Sequence, residues 1–418
     1  MIDMSVQGPL KVGIVGVGAR GNGILRMLLK MEDVEVLAVC DTREHRLEKA
    51  RKTVAEWRRQ DSPVLYTTDY RDLLKMGEIQ AIFNTASWAS HVRIIVEAME
   101  AGKDVAFEVG GAHSIRECWK LVEAQERTGR KCMMMANCCY GKTELAMLNM
   151  VRKGLFGEVV HCKGGYGHDM RKAISLMVEN GRYRLPNYIH RNGENYPIHA
   201  LGPISKILNI NRGNRLVSLV SVASKAAGMQ DYIKRHCPED HPLQGQTYRQ
   251  ADVVSTIITC AHGETIALTL DTTVPRPYSR HFGVYGTQGM FDEDGNVIYF
   301  DPEEQVEVNV KSLIGNAKEH IDANAHQIWL DKEENESTSM NMSAGHGGMD
   351  FLLLQAFVDC VRYDLPTPID VYDAAVWMSI TVLSEESIAL GGAPVAIPDF
   401  TNGAWITRKF EQTSKWSI

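Results

Sequence analysis

The chain has 418 residues, of which 44% are hydrophobic and 23% charged, and its formal net charge is −7. That length allows about two or three domains' worth of core, and the acidic balance argues against a general nucleic-acid or anionic-membrane partner. No apolar run approaches the ~20 residues of a membrane span, and Met1–Leu10 lacks the basic-then-apolar pattern of an export signal, so a cytoplasmic protein is expected.

In chain order, Lys11–Val15 reads as a buried strand. Gly16-Val17-Gly18-Ala19-Arg20-Gly21 follows it directly, and Asn22–Lys30 reads as a helix. This is G-x-G-x-x-G at a strand-to-helix turn, the setting in which it binds a dinucleotide. Gly16 allows the tight turn, Gly18 the approach of a pyrophosphate, and Gly21 the packing of helix on strand. The helix N-terminus offers N–H groups and a partial positive charge to the phosphates. A second strand, Val34–Cys40, ends at Asp41, 20 positions after Gly21, where a carboxylate can take the ribose hydroxyls of NAD. Asp41 favours NAD over NADP, although Arg43 could serve a 2′-phosphate.

Short apolar strands at Ala81–Thr85, Asp104–Val109 and Lys131–Asn137 alternate with helical segments at Arg71–Met76, His91–Ala101 and Ser114–Thr128. Alternation of this kind predicts a doubly wound parallel sheet, an NAD-binding Rossmann unit over 1–140. The cofactor then lies along the carboxyl ends of the strands, which carry Gly16–Gly21, Asp41, Thr85-Ala86-Ser87-Trp88, Glu108-Val109 and Asn137. Trp88 is either a core residue or a platform near the nicotinamide, and His91 either starts the next helix or faces the site. Val109 follows Glu108 where many two-domain sugar dehydrogenases carry a proton-moving lysine, and valine cannot hold a proton.

Beyond about residue 140 the pattern changes. A helix is expected at Thr143–Lys153, then longer strand-like runs at Glu158–Tyr166, Leu216–Ser224, Val253–Ala261, Thr265–Thr273 and a set within His281–Phe300. His262-Gly263-Glu264 is a hairpin signal. These runs predict an α+β unit over 141–418 with a mostly antiparallel open sheet. Helices Met349–Tyr363 and Val371–Leu390 are expected to pack near the cleft, and Asp331–Ser343 reads as an exposed loop. Tyr196 and His199 lie three apart, so on a helical turn they share a face. Histidine titrates near neutrality and suits a general base; tyrosine can act as an acid or donate to an oxyanion. Tyr166, Arg184 and Tyr278 are further candidates for holding a sugar, each open to the plainer reading of an ordinary loop residue.

Nine cysteines without a C-x-x-C pair fit reduced thiols. Cys138-Cys139 reads as two small buried residues. His236-Cys237-Pro238-Glu239-Asp240-His241 has the composition of a metal site but lacks the closed ligand set zinc requires, so no metal is expected.

Several stretches together are far more specific than the glycine turn: Asn137-Cys138-Cys139-Tyr140-Gly141, Tyr196-Pro197-Ile198-His199-Ala200-Leu201-Gly202-Pro203, Asn211-Arg212-Gly213, Pro275-Arg276-Pro277-Tyr278-Ser279-Arg280 and His346-Gly347-Gly348-Met349-Asp350-Phe351. With them the chain resembles the Gfo/Idh/MocA family and, within it, glycoside hydrolase family 109, the NAD-dependent α-N-acetylgalactosaminidase group. The resemblance implies a retained NAD held by Gly16, Gly18, Ala19, Arg20, Gly21, Asp41, Thr85, Ala86, Ser87, Trp88, His91, Glu108, Val109 and Asn137. It implies a sugar pocket of Tyr166, Arg184, Tyr196, Pro197, Ile198, His199 and Tyr278, with His199, Tyr196, Tyr166 and Tyr278 as the catalytic set of an NAD-dependent glycosidase; an NAD-dependent sugar or cyclitol dehydrogenase on the same scaffold and a non-catalytic sensor of NAD and sugar are the alternatives. Subunits of the family often pair through the open sheet, which implies a homo-oligomer. The chain departs from the family at Ala86-Ser87-Trp88 (usually Thr-Pro-Trp), at Glu108-Val109-Gly110 (usually Glu-Val-Pro) and at Ile198 (usually Thr), and its segment from Arg171 to Asn195 is shorter.

Overall fold

A computed structural model of the chain describes residues 8–57, 63–175, 184–301, 315–336 and 345–418. Its first third is a six-stranded sheet of β1 (Leu10–Val15), β2 (Val34–Cys40), β3 (Leu65–Thr67), β4 (Ala81–Asn84), β5 (Asp104–Phe107) and β6 (Cys132–Met134). Every pairing is parallel and the spatial order is β3-β2-β1-β4-β5-β6. This is the doubly wound order, and its switch point lies between β1 and β4. Helices α1 (Ala19–Lys30), α2 (Glu44–Trp57), α3 (Tyr70–Lys75), α4 (Trp88–Glu100) and α5 (Ile115–Thr128) connect the strands. The strands are largely apolar because both faces are covered: all seven residues of β2 and all four of β4 and β5 are buried.

The second sheet comprises β7 (Val159–Gly167), β8 (Leu216–Ala223), β9 (Val253–Cys260), β10 (Thr265–Asp271), β11 (Gly283–Gly286), β12 (Gly289–Asp292), β13 (Val297–Phe300) and β14 (Val395–Ala396). Its order is β13-β12-β11-β7-β10-β9-β8-β14. All pairs are antiparallel except β7 with β10. The expected hairpin joins β9 to β10 in register Thr259↔Thr265, with Gly263 at φ +97°. Strict alternation along β9 buries Val254, Thr256, Ile258 and Cys260 and leaves Ser255, Ile257 and Thr259 exposed, so one face is open.

The helices of the same half are α6 (Lys142–Arg152), α7 (Arg171–Ser175), α8 (Leu185–His190), α9 (Ile198–Ile207), α10 (Gly228–His236), α11 (Ala317–Ala323), α12 (Gln327–Glu336), α13 (Met349–Arg362) and α14 (Val371–Ala389), of which α9 packs on β7 and α14 on β8. A Cβ at Gly164 of β7 would lie 2.6 Å from the Ala200 methyl, so α9 presses directly on β7 there. Asp370 caps α14 through a reciprocal bond with Asp373. Asp373 is buried and binds Lys206 and Arg212, which fastens α14 to α9 and the turn after it. Among the described residues no helix is long and apolar enough to cross a membrane.

Some boundaries differ from the sequence expectation. The Asp331–Ser343 segment is helical through Glu336, the end of α12, and 337–343 lie outside the described residues. Ile328 and Trp329 anchor that helix in the core, and the acidic and lysine residues after them are good helix formers. The 131–137 run forms a strand only over Cys132–Met134, and Asn137 opens a 3-10 turn to Tyr140. Helix α2 and the three-residue β3 had no sequence expectation, since α2 is mostly charged and β3 is half exposed.

Candidate active site

The glycine turn has the geometry the motif demands. Gly16 has φ +88°, and a Cβ there would come within 2.7 Å of the Ala86 backbone. A Cβ at Gly21 would overlap the Gly16 carbonyl. Helix α1 begins with Gly18 as its N-cap, with no side-chain cap and no acidic residue in the first turn, so its terminal N–H groups face outward for an anion. Asp41 at the end of β2 is buried; its Oδ2 accepts the Val17 N–H at 2.9 Å and its Oδ1 the Arg43 N–H at 3.0 Å. Arg46 reaches over the turn to 3.5 Å from Asp41. Arg43, the basic residue expected here, meets Asp41 only through its backbone.

Thr85 Oγ1 donates to the carbonyl of Gly16, which ties the loop after β4 to the glycine turn. Trp88 opens α4 and donates from Nε1 to the Val109 carbonyl at 3.0 Å, with its ring 6.0 Å from that of Tyr196. Gly110 is what admits this ring, because any side chain there would strike it. His91 is 2% exposed and its Nε2 lies 2.7 Å from the Ala86 carbonyl. Burial pulls its pKa down to about 4, so a neutral ring props the Ala86-Ser87 loop from beneath.

Arg20 projects from the first turn of α1 across to α13. Its Nε lies 2.7 Å from Glu108 Oε1, and its terminal nitrogens grip Asp350 at 2.5 and 3.0 Å. Asn137 donates to the same carboxylate at 2.8 Å, and His346 Nδ1 lies 2.9 Å from it. Burial works against the Asp350 charge, yet the His346 and Arg20 bonds outweigh it and hold the carboxyl below the usual range. Burial raises the Glu108 pKa, opposed by Arg20. Asn137 Oδ1 is buried without a partner, a vacancy that a bound cofactor amide or hydroxyl could fill.

The sugar-facing candidates converge beside this cradle. The Gly164–Ala200 contact fixes β7 against α9, so Tyr166 and His199, each close by in sequence, come 5.7 Å apart between ring centres. Tyr196 packs on Tyr166 at 4.3 Å, and its hydroxyl is 3.4 Å from His199 Nε2. The Arg184 guanidinium lies over Tyr196 at 4.6 Å and over Trp88 at 5.5 Å. Tyr278, 54% exposed, stands edge-on to Tyr166 at 6.2 Å. Pro197 takes the N-cap position of α9, while Ile198 is 1% exposed and joins the core, as does Val109. The site therefore assembles from both halves of the chain, with Ile198 and Val109 both buried.

His199 Nδ1 is buried without a partner. Burial first, then Arg280, Arg184, His346 and Arg20, push its pKa well below the ordinary value. At neutral pH it is an uncharged imidazole able to accept a proton. Arg280 is the nearest source of this field and pairs with buried Glu144 at 2.7 Å. Glu194, two residues before Tyr196, accepts the Tyr196 N–H at 3.3 Å, and burial pushes its pKa up to about 8. Sequence reasoning gave no role to Asp350, His346, Glu144, Arg280, Glu194 or His168. Asp350, His346 and Arg280 lay inside the quoted stretches; the others carried no periodic or motif signal. The His236–His241 run forms the end of α10 and a turn after it. Among the described residues no three potential ligands converge on a metal position.

A parallel nucleotide-binding sheet joined to an open, mostly antiparallel sheet, with a tyrosine–histidine cluster between them, defines the two-part architecture of the Gfo/Idh/MocA class. The profile described as the oxidoreductase-family NAD-binding Rossmann fold matches residues 10–136, and the glycosyl hydrolase 109 C-terminal domain matches residues 140–407. An alpha-N-acetylgalactosaminidase of Tannerella forsythia is 36% identical over 96% of this chain and 88% of its own. A glycosyl hydrolase family 109 protein of Shewanella woodyi is 39% identical over 96% and 86%. Among solved structures, levoglucosan dehydrogenase with NADH and levoglucosan superposes with a TM-score of 0.68 at 16% identity, covering 93% of this chain and all of that one. Scyllo-inositol dehydrogenase of Lactobacillus casei with NAD(H) and scyllo-inositol gives 0.65 at 14%, covering 93% and 99%. The chain belongs to glycosyl hydrolase family 109.

Proposed function

We propose that the protein is a glycosidase that retains NAD and hydrolyses the glycosidic bond of a hexosaminide, with α-N-acetylgalactosaminides the first candidates. The observation that carries this is the pairing of a dinucleotide cradle with a neutral, half-buried His199 beside Tyr196, while Val109 follows Glu108 at the sequence position of a dehydrogenase lysine. The donors fit the cofactor: open N–H groups at the start of α1, Asp41 at the ribose position, and Asn137 with an unanswered oxygen. When bound, NAD supplies the reversible removal of hydride from C3, which turns the sugar into a ketone with an acidic C2 hydrogen.

The residues of this chain do the rest. His199 takes the C2 proton. Tyr196, within reach of His199, donates to the oxygen at C3 as negative charge builds there, in a field made positive by Arg280, Arg184, His346 and Arg20. Arg184 covers the sugar beside the Trp88 and Tyr196 rings. Tyr166 or Tyr278 assists the leaving group. No pair of carboxylates is needed, as in other NAD-dependent glycosidases.

The test is to incubate purified protein, with no NAD added, with a panel of aryl α- and β-glycosides. Aglycone release, with solvent deuterium at C2 of the product and no accumulation of NADH, is the expected result. Stoichiometric NADH without aglycone would instead identify a sugar dehydrogenase. Nine free cysteines, eight of them buried, support a reducing, cytoplasmic setting. A second copy is the proposed cover for the open sheet face, which exposes Val222 and Ile257 at 55% and 46%. An Ile257→Glu variant is then expected to shift the light-scattering mass to that of a monomer.

A further inference from the structure

The cluster holds a second tyrosine–histidine pair. Tyr166 and His168 are two apart at the end of β7, so they project to the same side, and the Tyr166 hydroxyl lies 2.8 Å from His168 Nδ1. His168 is fixed from behind, because its backbone N–H donates to the Asp271 carbonyl at 2.9 Å. Its ring meets Tyr278 edge-on at 5.3 Å. The neighbouring Asp169 is committed to Arg171 through bonds of 2.9 and 2.7 Å. The two pairs differ in position. Tyr196 and His199 lie on the cofactor side, next to Trp88, with His199 Nδ1 buried. Tyr166 and His168 lie outward, against the half-exposed Tyr278, where an aglycone has its way to solvent.

We propose that His168 is a positioning residue for departure of the leaving group, acting through Tyr166; this rests on the glycosidase reading above. As His199 takes the C2 proton, the electrons of that C–H bond form C1=C2. The C1–O bond breaks, its electron pair stays on the aglycone oxygen, and that oxygen takes the Tyr166 phenol proton. His168 donates its Nδ1–H to the phenolate oxygen and holds it in place. On return, water bonds to C1 and gives a proton to Tyr166, while His199, its proton exchanged with solvent, protonates C2. A pair of this kind matters in proportion to the basicity of the leaving oxygen, since a good leaving group departs without a proton.

The experiment compares a para-nitrophenyl and a methyl glycoside of the same sugar in wild type, His168→Leu and His168→Asn, each checked for bound NAD and melting temperature. His168→Leu is expected to lose roughly 10²-fold in kcat/KM on the methyl glycoside and less than about threefold on the nitrophenyl one. His168→Asn keeps an amide donor near Tyr166 and is expected to recover most of the methyl-glycoside activity. Equal losses on both glycosides in His168→Leu, or no recovery in His168→Asn, would overturn the proposal. Wild type that releases neither aglycone overturns the glycosidase reading and this proposal with it.

Discussion

Replacing Asp350 by Asn keeps the shape of the side chain and removes the charge on which Arg20, Asn137 and His346 converge. Asp350 is wholly buried and Arg20 has a side chain 32% exposed, so this is a largely desolvated pair. Removing one partner of a buried pair costs about 3–5 kcal/mol, and the exposure of Arg20 places this case near the lower figure. A chain of 418 residues has an unfolding entropy of about 0.9 kcal/mol/K. A loss of about 3 kcal/mol therefore lowers the midpoint of a cooperative melt by roughly 3–4 °C. The pH dependence has a definite sign. The folded carboxyl titrates below its unfolded value of about 3.9, so its stabilisation is complete above that pH and fades as pH falls through the lower folded value. The gap between wild type and Asp350→Asn is thus constant around neutrality and closes in acid. Scanning calorimetry across that range is the assay. A midpoint within about 1 °C of wild type at neutral pH would show that the charge cluster stabilises nothing, and the reasoning would fail.

His199→Ala is expected to lower aglycone release by roughly 10²–10⁴-fold with bound NAD unchanged, read by glycoside turnover beside the cofactor absorbance of the denatured protein. Gly21→Ala sets a methyl against the Gly16 carbonyl and is expected to yield protein that purifies without NAD, because the turn must open to relieve the clash. Glu194 has a raised folded pKa, so its favourable share is present below about pH 4 and is lost as pH climbs through about 8. Glu194→Gln keeps the acceptor for the Tyr196 N–H and is expected to flatten the fall in melting temperature between about pH 4 and about pH 8; an unchanged slope would show that Glu194 ionises freely.

Local rules carried much of this structure. The β1 turn, the apolar strands of the first sheet and the β9–β10 hairpin are all properties of short stretches, and they appear where spacing and turn chemistry place them. The spacing of Tyr196 and His199 pointed to their pairing, although Tyr196 stands just ahead of the α9 N-cap and only His199 lies in the helix. What spacing could not supply was contact across long separations. Arg20 meets Asp350 from 330 positions away, and Arg280 meets Glu144 from a different element, because packing of α13 and of the loop after β10 brings them there. Even Ile198 and His199, adjacent in sequence, divide between core and site only once α9 is laid on β7. His168 was passed over for a different reason: one histidine beside an acidic residue carries no periodic signal, and its meaning depends on where the Tyr166 hydroxyl lies.

The single parallel pairing in the second sheet, β7 beside β10, has an evolutionary consequence. Because the two neighbours run the same way, both chains leave the sheet at one rim, where Tyr166 and Tyr278 stand. The ladder runs a little past both strands, with the His168 N–H on the Asp271 carbonyl and the Met170 N–H on that of Thr272, and the exits diverge beyond it. Insertions, deletions and exchanges in either exit can then alter which sugar is admitted without disturbing the ladder or the nucleotide turn. Such a scaffold lets a lineage drift among substrates while its borrowed-hydride chemistry is inherited intact.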